Sequence, residues 1–151
     1  MHVRFEVPGV PSTKGSTRSF RHAKTGKIVT LSDNPRLKEW EAAIKYFATR
    51  VWSVPPLRDP IHISMTFAFP RPKSAPPKKR PCVIVKPDLD KLVRAVLDAC
   101  TGVFWYDDAQ VIGMSACKVY VQEGKAESVI SHPGVVVSVF SISTKPGGST
   151  R

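Results

Sequence analysis

The stretch KPDLDKLVRAVLDACTGVFWYDDAQV, residues 86–111, is the most informative part of this chain for both its fold and its chemistry. From Leu89 the apolar residues recur at steps of three and four, which predicts a helix, and Gly102 supplies its stop. The same spacing predicts that Cys100 is a small buried hydrophobic residue. Five of the twelve acidic residues of the chain also lie here, so a core helix is combined with a cluster of carboxylates.

The segments on either side predict a single α+β domain. Alternating apolar and polar residues predict strands at residues 3–7, 61–69, 111–121 and 135–142. Asn34-Pro35 favours the start of a second amphipathic helix, which ends before Pro55. The order β-α-β-α-β-β predicts a mixed β-sheet covered by two main helices, and we expect the last two strands to be antiparallel. Residues 1–144 form the predicted domain, and residues 145–151 form a flexible C-terminal tail.

The overall composition favours a nucleic-acid partner. The chain has 151 residues and a formal net charge of +11. An excess of Lys and Arg favours binding to nucleic acid, because neutralising the phosphates releases counterions. No apolar run is long enough to cross a membrane, and the N-terminus lacks the apolar stretch of a signal peptide. Three widely spaced cysteines argue against a disulfide framework, so we expect a cytoplasmic protein. A highly charged surface that only favours solubility is the alternative.

Two basic segments are the predicted DNA-binding regions. Residues 9–34 are polar and Gly-rich, and they are interpreted as a long loop. Residues 70–81, PRPKSAPPKKRP, contain five prolines and five basic residues, which excludes a helix or a central strand and predicts an extended basic arm or loop. An inconsequential surface loop and a simple linker are the alternatives. The predicted DNA-binding residues are Lys14, Arg18, Arg21, Arg71, Lys73, Lys78, Lys79, Arg80, Lys86 and Lys91.

The carboxylates of the 86–111 stretch predict a metal site. Asp88 and Asp90 lie two residues apart at a helix start, where the helix dipole lowers the cost of their mutual repulsion. Asp107 and Asp108 follow a Gly-containing turn, and we expect this pair to fold back near the first pair. Oxygen ligands of this kind suit Mg²⁺, with Mn²⁺ as the alternative, and such a metal can activate water for attack on a phosphodiester.

Arg94 lies between Asp90 and Asp98 at helical spacing, so these three residues form a polar stripe opposite the apolar one. Arg94 can therefore lie beside the metal-binding carboxylates and contact a phosphate. Spacing alone leaves two further interpretations open. Aspartates at helix starts are commonly caps, and Asp-Asp pairs are commonly turns. The basic composition argues against a glycosyltransferase, which also uses a DxD motif.

The same stretch resembles the signature of the RusA family of Holliday junction resolvases, which runs KPDxDN, then a Lys, then an Asp, then DDAQ followed by Ile or Val. The opening segment VPGVPSTKGSTR is similar to the GxPxxKxRxR segment near the N-terminus of that family. The resemblance implies a homodimeric, magnesium-dependent endonuclease that nicks four-way DNA junctions symmetrically. Members are frequent in phages and prophages, which implies a bacterial or phage-infected cell.

Position by position, the resemblance places the metal-binding aspartates of the family at Asp88, Asp90 and Asp108. Asp107 is included among the predicted metal-binding residues, with orienting or capping as its alternative role. The catalytic lysine of the family falls on Arg94, and the usual Asn is Lys91. Since arginine stays charged, we expect Arg94 to stabilise charge on a phosphate oxygen and not to shuttle a proton.

Two other functions remain open at the level of the sequence. In one, the chain is a non-catalytic basic DNA-binding protein whose aspartates only cap and turn. In the other, it is a metal nuclease for flaps, forks or single strands, because junction preference depends on dimer geometry that motifs do not encode.

Overall fold

The computed structural model describes residues 1–13, 17–32, 36–122 and 131–142, with the backbone alone for residues 17–20 and 29–32. The strands are β1 (His2–Pro8), β2 (Thr17–Arg21), β3 (Ile28–Ser32), β4 (Ile61–Phe69), β5 (Val111–Tyr120) and β6 (Gly134–Ser141). The helices are α1 (Arg36–Val51) and α2 (Leu89–Cys100), and a short 3₁₀ turn covers Asp108–Gln110. The predicted α+β domain with a mixed sheet and two helices is confirmed. The predicted tail and the Asn34-Pro35 helix start lie outside the described residues.

The main sheet has four strands in the order β1-β6-β4-β5. β6 is antiparallel to both of its neighbours, whereas β4 and β5 are parallel. A parallel pair needs a long crossover, and α2 lies within the connection from β4 to β5. β5 and β6 therefore run in opposite directions, as expected, but β4 separates them and they do not pair.

The core lies between this sheet and the two helices. Alternate residues of β4 are buried beneath the helices, and the apolar stripe of α1 buries Leu37, Trp40 and Ile44. α2 buries its own stripe, including Val96 and Cys100, both of which are completely inaccessible. The prediction for Cys100 is thus confirmed. Burial raises the pKa of the Cys100 thiol, and the nearby Asp108 carboxylate raises it further, so the thiol stays protonated.

The segment predicted to be a long loop contains a β-ribbon, which corrects that expectation. β2 and β3 pair antiparallel, and a backbone bond from His22 N to Lys27 O closes the turn between them. Gly26 adopts a φ of 66° in this turn, a conformation that glycine reaches without the cost of a Cβ. Of the predicted DNA-binding residues in this segment, Arg21 is exposed, Lys14 lies outside the described residues, and only the backbone of Arg18 is described.

The proline-rich segment contains neither helix nor strand, as predicted, but it is a compact loop and not an extended arm. Arg71 donates from Nη1 to the carbonyl oxygens of Ala75 (2.9 Å) and Arg80 (2.6 Å). Its guanidinium carbon also lies 4.2 Å from the centre of the Tyr120 ring. Because Arg71 is half-buried and holds the loop on itself, its position does not fit the predicted role in DNA binding. Lys73, Lys78 and Lys79 remain exposed along the same loop.

Candidate metal centre and DNA-binding surface

Asp88 and Asp90 lie at the N-terminal end of α2. Asp88 is the N-cap residue, with an extended backbone (φ −69°, ψ 139°), and its carbonyl accepts the first helical bond from Leu92 N at 3.2 Å. Its carboxylate makes no capping bond to the helix. Both aspartates are exposed, and Lys91 Nζ lies 3.8 Å from Asp88 Oδ2. Two acceptor groups are thus available at the positive end of the helix dipole.

The Asp107-Asp108 turn lies beyond the other end of α2. Asp107 caps the 3₁₀ turn, because its side chain accepts from Ala109 N at 2.8 Å while Gln110 Oε1 accepts from Asp107 N at 3.0 Å. Asp107 therefore has the capping role that was the alternative for it, and its metal-binding role stays a prediction.

Asp108 has different partners from its neighbour. Thr101 Oγ1 donates a hydrogen bond to Asp108 Oδ1, and Trp105 Nε1 donates to the same oxygen at 3.1 Å. Trp105 is completely buried and Thr101 is the C-cap residue of α2, so these bonds fix the Asp108 carboxylate beside the C-terminal end of the helix. A carboxylate is electrostatically unfavourable there, and the last turn of α2 has no basic residue to offset it.

Gln110 fastens this turn to the rest of the domain, a role that the sequence analysis did not assign. Its Nε2 donates to the carbonyl oxygens of Leu57 at 2.8 Å and Asp59 at 3.1 Å, in the segment before β4. Its Oε1 accepts from the backbone N–H groups of Tyr106 and Asp107. One amide side chain therefore makes four hydrogen bonds, and the place of Gln in the DDAQ motif was the signal available in the sequence.

The length of α2 separates the two groups of carboxylates. At about 1.5 Å of rise per residue, the helix places Asp90 roughly 16 Å along the axis from Thr101, which holds Asp108. Cβ atoms point towards the N-terminus of a helix, so the Asp90 side chain extends away from Asp108. Within the described residues, no group of three His, Cys, Asp or Glu side chains could hold a metal ion.

The expected convergence of Asp88, Asp90 and Asp108 within one chain is therefore wrong. The donor chemistry still fits a hard divalent cation, since all three groups are carboxylates and the first two lie together at one helix terminus. Within the described residues, neither end of α2 brings three candidate metal ligands together.

The polar face of α2 lies in solvent. Asp90, Arg94 and Asp98 are all exposed, as the helical spacing predicted. Among the remaining predicted DNA-binding residues, Lys86 is exposed, whereas Lys91 and Arg80 are half-buried. Of these, Lys91 lies beside Asp88 and Lys86 lies two residues before it.

The sequence model of the family described as "Endodeoxyribonuclease RusA" matches residues 8–131 of this chain. The chain belongs to the RusA endodeoxyribonuclease family. The match spans every element that carries the RusA motif, from the Asp88 end of α2 to the Gln110 turn. The chain is also similar to "Uncharacterized protein YqaN" of Bacillus subtilis (strain 168), with 27% identity over 140 residues, which cover 85% of this chain and 94% of that protein. In the described part of this RusA family member, the helices are too short or too polar to span a membrane.

Proposed function

We propose that this chain is a magnesium-dependent, structure-selective endodeoxyribonuclease that resolves four-way DNA junctions by paired nicks, in recombination and repair. Mn²⁺ is the alternative metal, and the cytoplasm of a bacterial or phage-infected cell is the proposed location. The family match over residues 8–131 carries the proposal. Asp88 and Asp90 support it, because both carboxylates are exposed to a ligand and Asp88 makes no capping bond to the helix.

We infer further that the metal site is shared between two copies of the chain. Asp108 lies at the opposite end of α2 from Asp88 and Asp90, so one chain does not bring the three together. A two-fold axis reverses the direction of the helix in a second copy and can present its Asp108 to the Asp88 end of the first. Two such sites then arise by symmetry, which suits the two opposed strands that a junction resolvase must cut.

The residues of the chain have distinct roles in this proposal. A bound divalent metal supplies Lewis-acid stabilisation of charge on the phosphate. Asp88 and Asp90 hold it from one copy and Asp108 from the other, while Asp107 is occupied as the cap of its turn. Arg94, one helical turn beyond Asp90, stabilises negative charge on the scissile phosphate, because its guanidinium remains protonated throughout.

In this proposal, exposed lysines hold the flanking duplex. Lys86 lies two residues before Asp88, and Lys73, Lys78 and Lys79 are exposed on the proline-rich loop. Lys14, Arg18 and Arg21 of the N-terminal segment are proposed to contribute, whereas Arg71 is given no part in this proposal, because its Nη1 donates to two carbonyl oxygens of its own loop. Contacts of this kind are phosphate contacts, so binding should weaken steeply with salt.

A complementation experiment tests the shared site. A labelled synthetic four-way junction is incubated with magnesium and with Asp88→Asn alone, Asp108→Asn alone, or a mixture in which the subunits have exchanged. Each variant alone should bind the junction without cutting it. In a mixed dimer, one site carries both substitutions and the other carries neither, so the mixture should nick one strand.

The outcomes separate the possible arrangements. Wild-type cutting with no activity in the mixture would contradict the shared site, because a site within one chain stays defective in every subunit. No cutting by the wild-type chain, together with binding that EDTA does not alter, would favour a non-catalytic DNA-binding protein. Faster cutting of flap, fork or single-stranded substrates than of junctions would instead favour a metal nuclease with another substrate.

A further inference from the structure

Lys118 connects β5 to the segment that precedes Asp88. Its Nζ donates to the carbonyl oxygen of Val85 at 2.9 Å and to that of Pro87 at 3.0 Å, across more than thirty residues of sequence. In the parallel register Lys118 pairs with Phe67, whose side chain is completely buried beneath the helices. Lys118 therefore projects from the same face of the sheet as α2, towards the start of that helix.

This contact holds the start of α2 in place, as a side-chain cap usually does. Residues 81–87 form neither helix nor strand, and the Asp88 carboxylate does not cap α2. Pro87 has no N–H group, and its carbonyl belongs to the peptide unit that leads into Asp88. A charged donor held on a β-strand thus fixes the peptide immediately before the first proposed metal ligand.

The geometry favours positioning over direct DNA contact. An ammonium group has three donors, and two of those of Lys118 are directed at carbonyl oxygens of its own chain. The side chain is also only partly accessible, unlike Lys86 nearby. Its positive charge further lowers the cost of holding Asp88 and Asp90 close together.

We propose that Lys118 is a positioning residue for the metal centre, setting the orientation of the Asp88 and Asp90 carboxylates through the Val85 and Pro87 carbonyls. This inference rests on the proposed function, because it assumes that both aspartates hold a divalent cation. It goes beyond that function because it assigns a role to a residue of β5. Lys118 does not bind the metal itself but holds in place the peptide that leads to the ligands on α2. Substitution of outer-shell partners of metal ligands typically lowers metal affinity or activity by about 10- to 100-fold.

The test compares Lys118→Met and Lys118→Arg with the matched control Lys45→Met on the exposed face of α1. Mn²⁺ binding is measured by electron paramagnetic resonance, junction affinity in EDTA by gel shift, and dimerisation and melting temperature alongside. For Lys118→Met we expect metal affinity to fall by about tenfold, within the range seen for outer-shell substitutions. Junction affinity in EDTA and dimerisation should stay unchanged, Lys118→Arg should recover part of the metal affinity, and Lys45→Met should match the wild type.

Every other result overturns the assignment in an identifiable way. A lower melting temperature with unchanged Mn²⁺ affinity would make Lys118 a residue of the fold only. Weaker junction binding with unchanged Mn²⁺ affinity would make it a phosphate contact. If wild-type protein neither binds Mn²⁺ nor cuts the junction, the proposed function itself fails, and the Lys118 proposal fails with it.

Discussion

The two ends of α2 carry the same chemical group in opposite structural settings. At the N-terminal end, Asp88 and Asp90 are exposed, and the Asp88 carboxylate does not cap the helix. At the C-terminal end, Asp108 accepts from Thr101 and Trp105, and Gln110 makes four hydrogen bonds that fix the same turn. The carboxylates at the N-terminal end are available to a ligand, whereas the Asp108 carboxylate at the C-terminal end is already fixed by hydrogen bonds within the protein.

This difference indicates which residues of the 86–111 stretch stabilise the fold and which are available for function. The free energy of unfolding should depend strongly on residues of the C-terminal turn and weakly on the carboxylates of the N-terminal end. Cleavage should depend on both ends equally if they meet across a dimer. Substitutions that affect one property without the other therefore test the comparison directly.

The largest effect on stability is expected for Gln110→Ala. The substitution leaves the carbonyl oxygens of Leu57 and Asp59 and the N–H groups of Tyr106 and Asp107 without their partner. With about 1 kcal/mol per bond and partial replacement by water, the free energy of unfolding should fall by about 3 kcal/mol. Urea denaturation measures it, with the exposed Gln122→Ala as the control. A loss equal to that of the control would mean that the turn is held by other contacts.

A smaller effect should distinguish the two carboxylates themselves. Asp108→Ala removes the oxygen that accepts from Thr101 and from the buried Trp105 indole, so we expect a loss of about 1–2 kcal/mol in unfolding free energy. Asp88→Ala removes no capping bond, so its effect should stay within about 0.5 kcal/mol. Thermal and urea unfolding of the two variants provide the comparison. Equal losses would show that the two ends do not differ as described.

Sequence reasoning succeeded wherever a structure is determined by neighbours along the chain. The apolar spacing from Leu89 predicted α2 and the burial of Cys100, and the alternation of residues 61–69 predicted β4. For Asp107 it gave capping only as an alternative to metal binding, and the capping bond is present in the 3₁₀ turn. The same reasoning missed β2 and β3 because a Gly-rich, basic composition outweighed the turn signal at Gly26.

Sequence reasoning failed for contacts between residues that are far apart along the chain. The convergence of Asp88 with Asp108 was expected from the turn at Gly102, but the intervening helix is too long for a return within one chain. The bond from Lys118 to Pro87 and the place of β4 between β5 and β6 are non-local as well. The Lys118 bond and the strand order both depend on the crossover from β4 to β5, and the spacing of apolar residues along the chain does not predict the path of that crossover.

The smallest effect concerns Cys100, at the end of α2 that holds Asp108. Burial raises the pKa of its thiol in the folded state, and the Asp108 carboxylate adds to the shift. Above the ordinary thiol pKa the unfolded chain releases a proton that the folded chain keeps, so stability is fully present at neutral pH and declines as pH rises. We expect a loss of about 0.5 kcal/mol at pH 9 from this group.

Replacing the thiol isolates this contribution from the other groups that titrate in the same range. Cys100→Ala keeps a small apolar residue at the buried position but has no proton to lose, while the exposed Cys82 and Cys117 remain in both proteins. The unfolding free energy of the wild type should therefore decline more steeply between neutral pH and pH 9 than that of the variant, by about 0.5 kcal/mol in total. Parallel pH profiles would mean that water reaches Cys100 and that the C-terminal end of α2 is less closed than its bonds to Asp108 indicate.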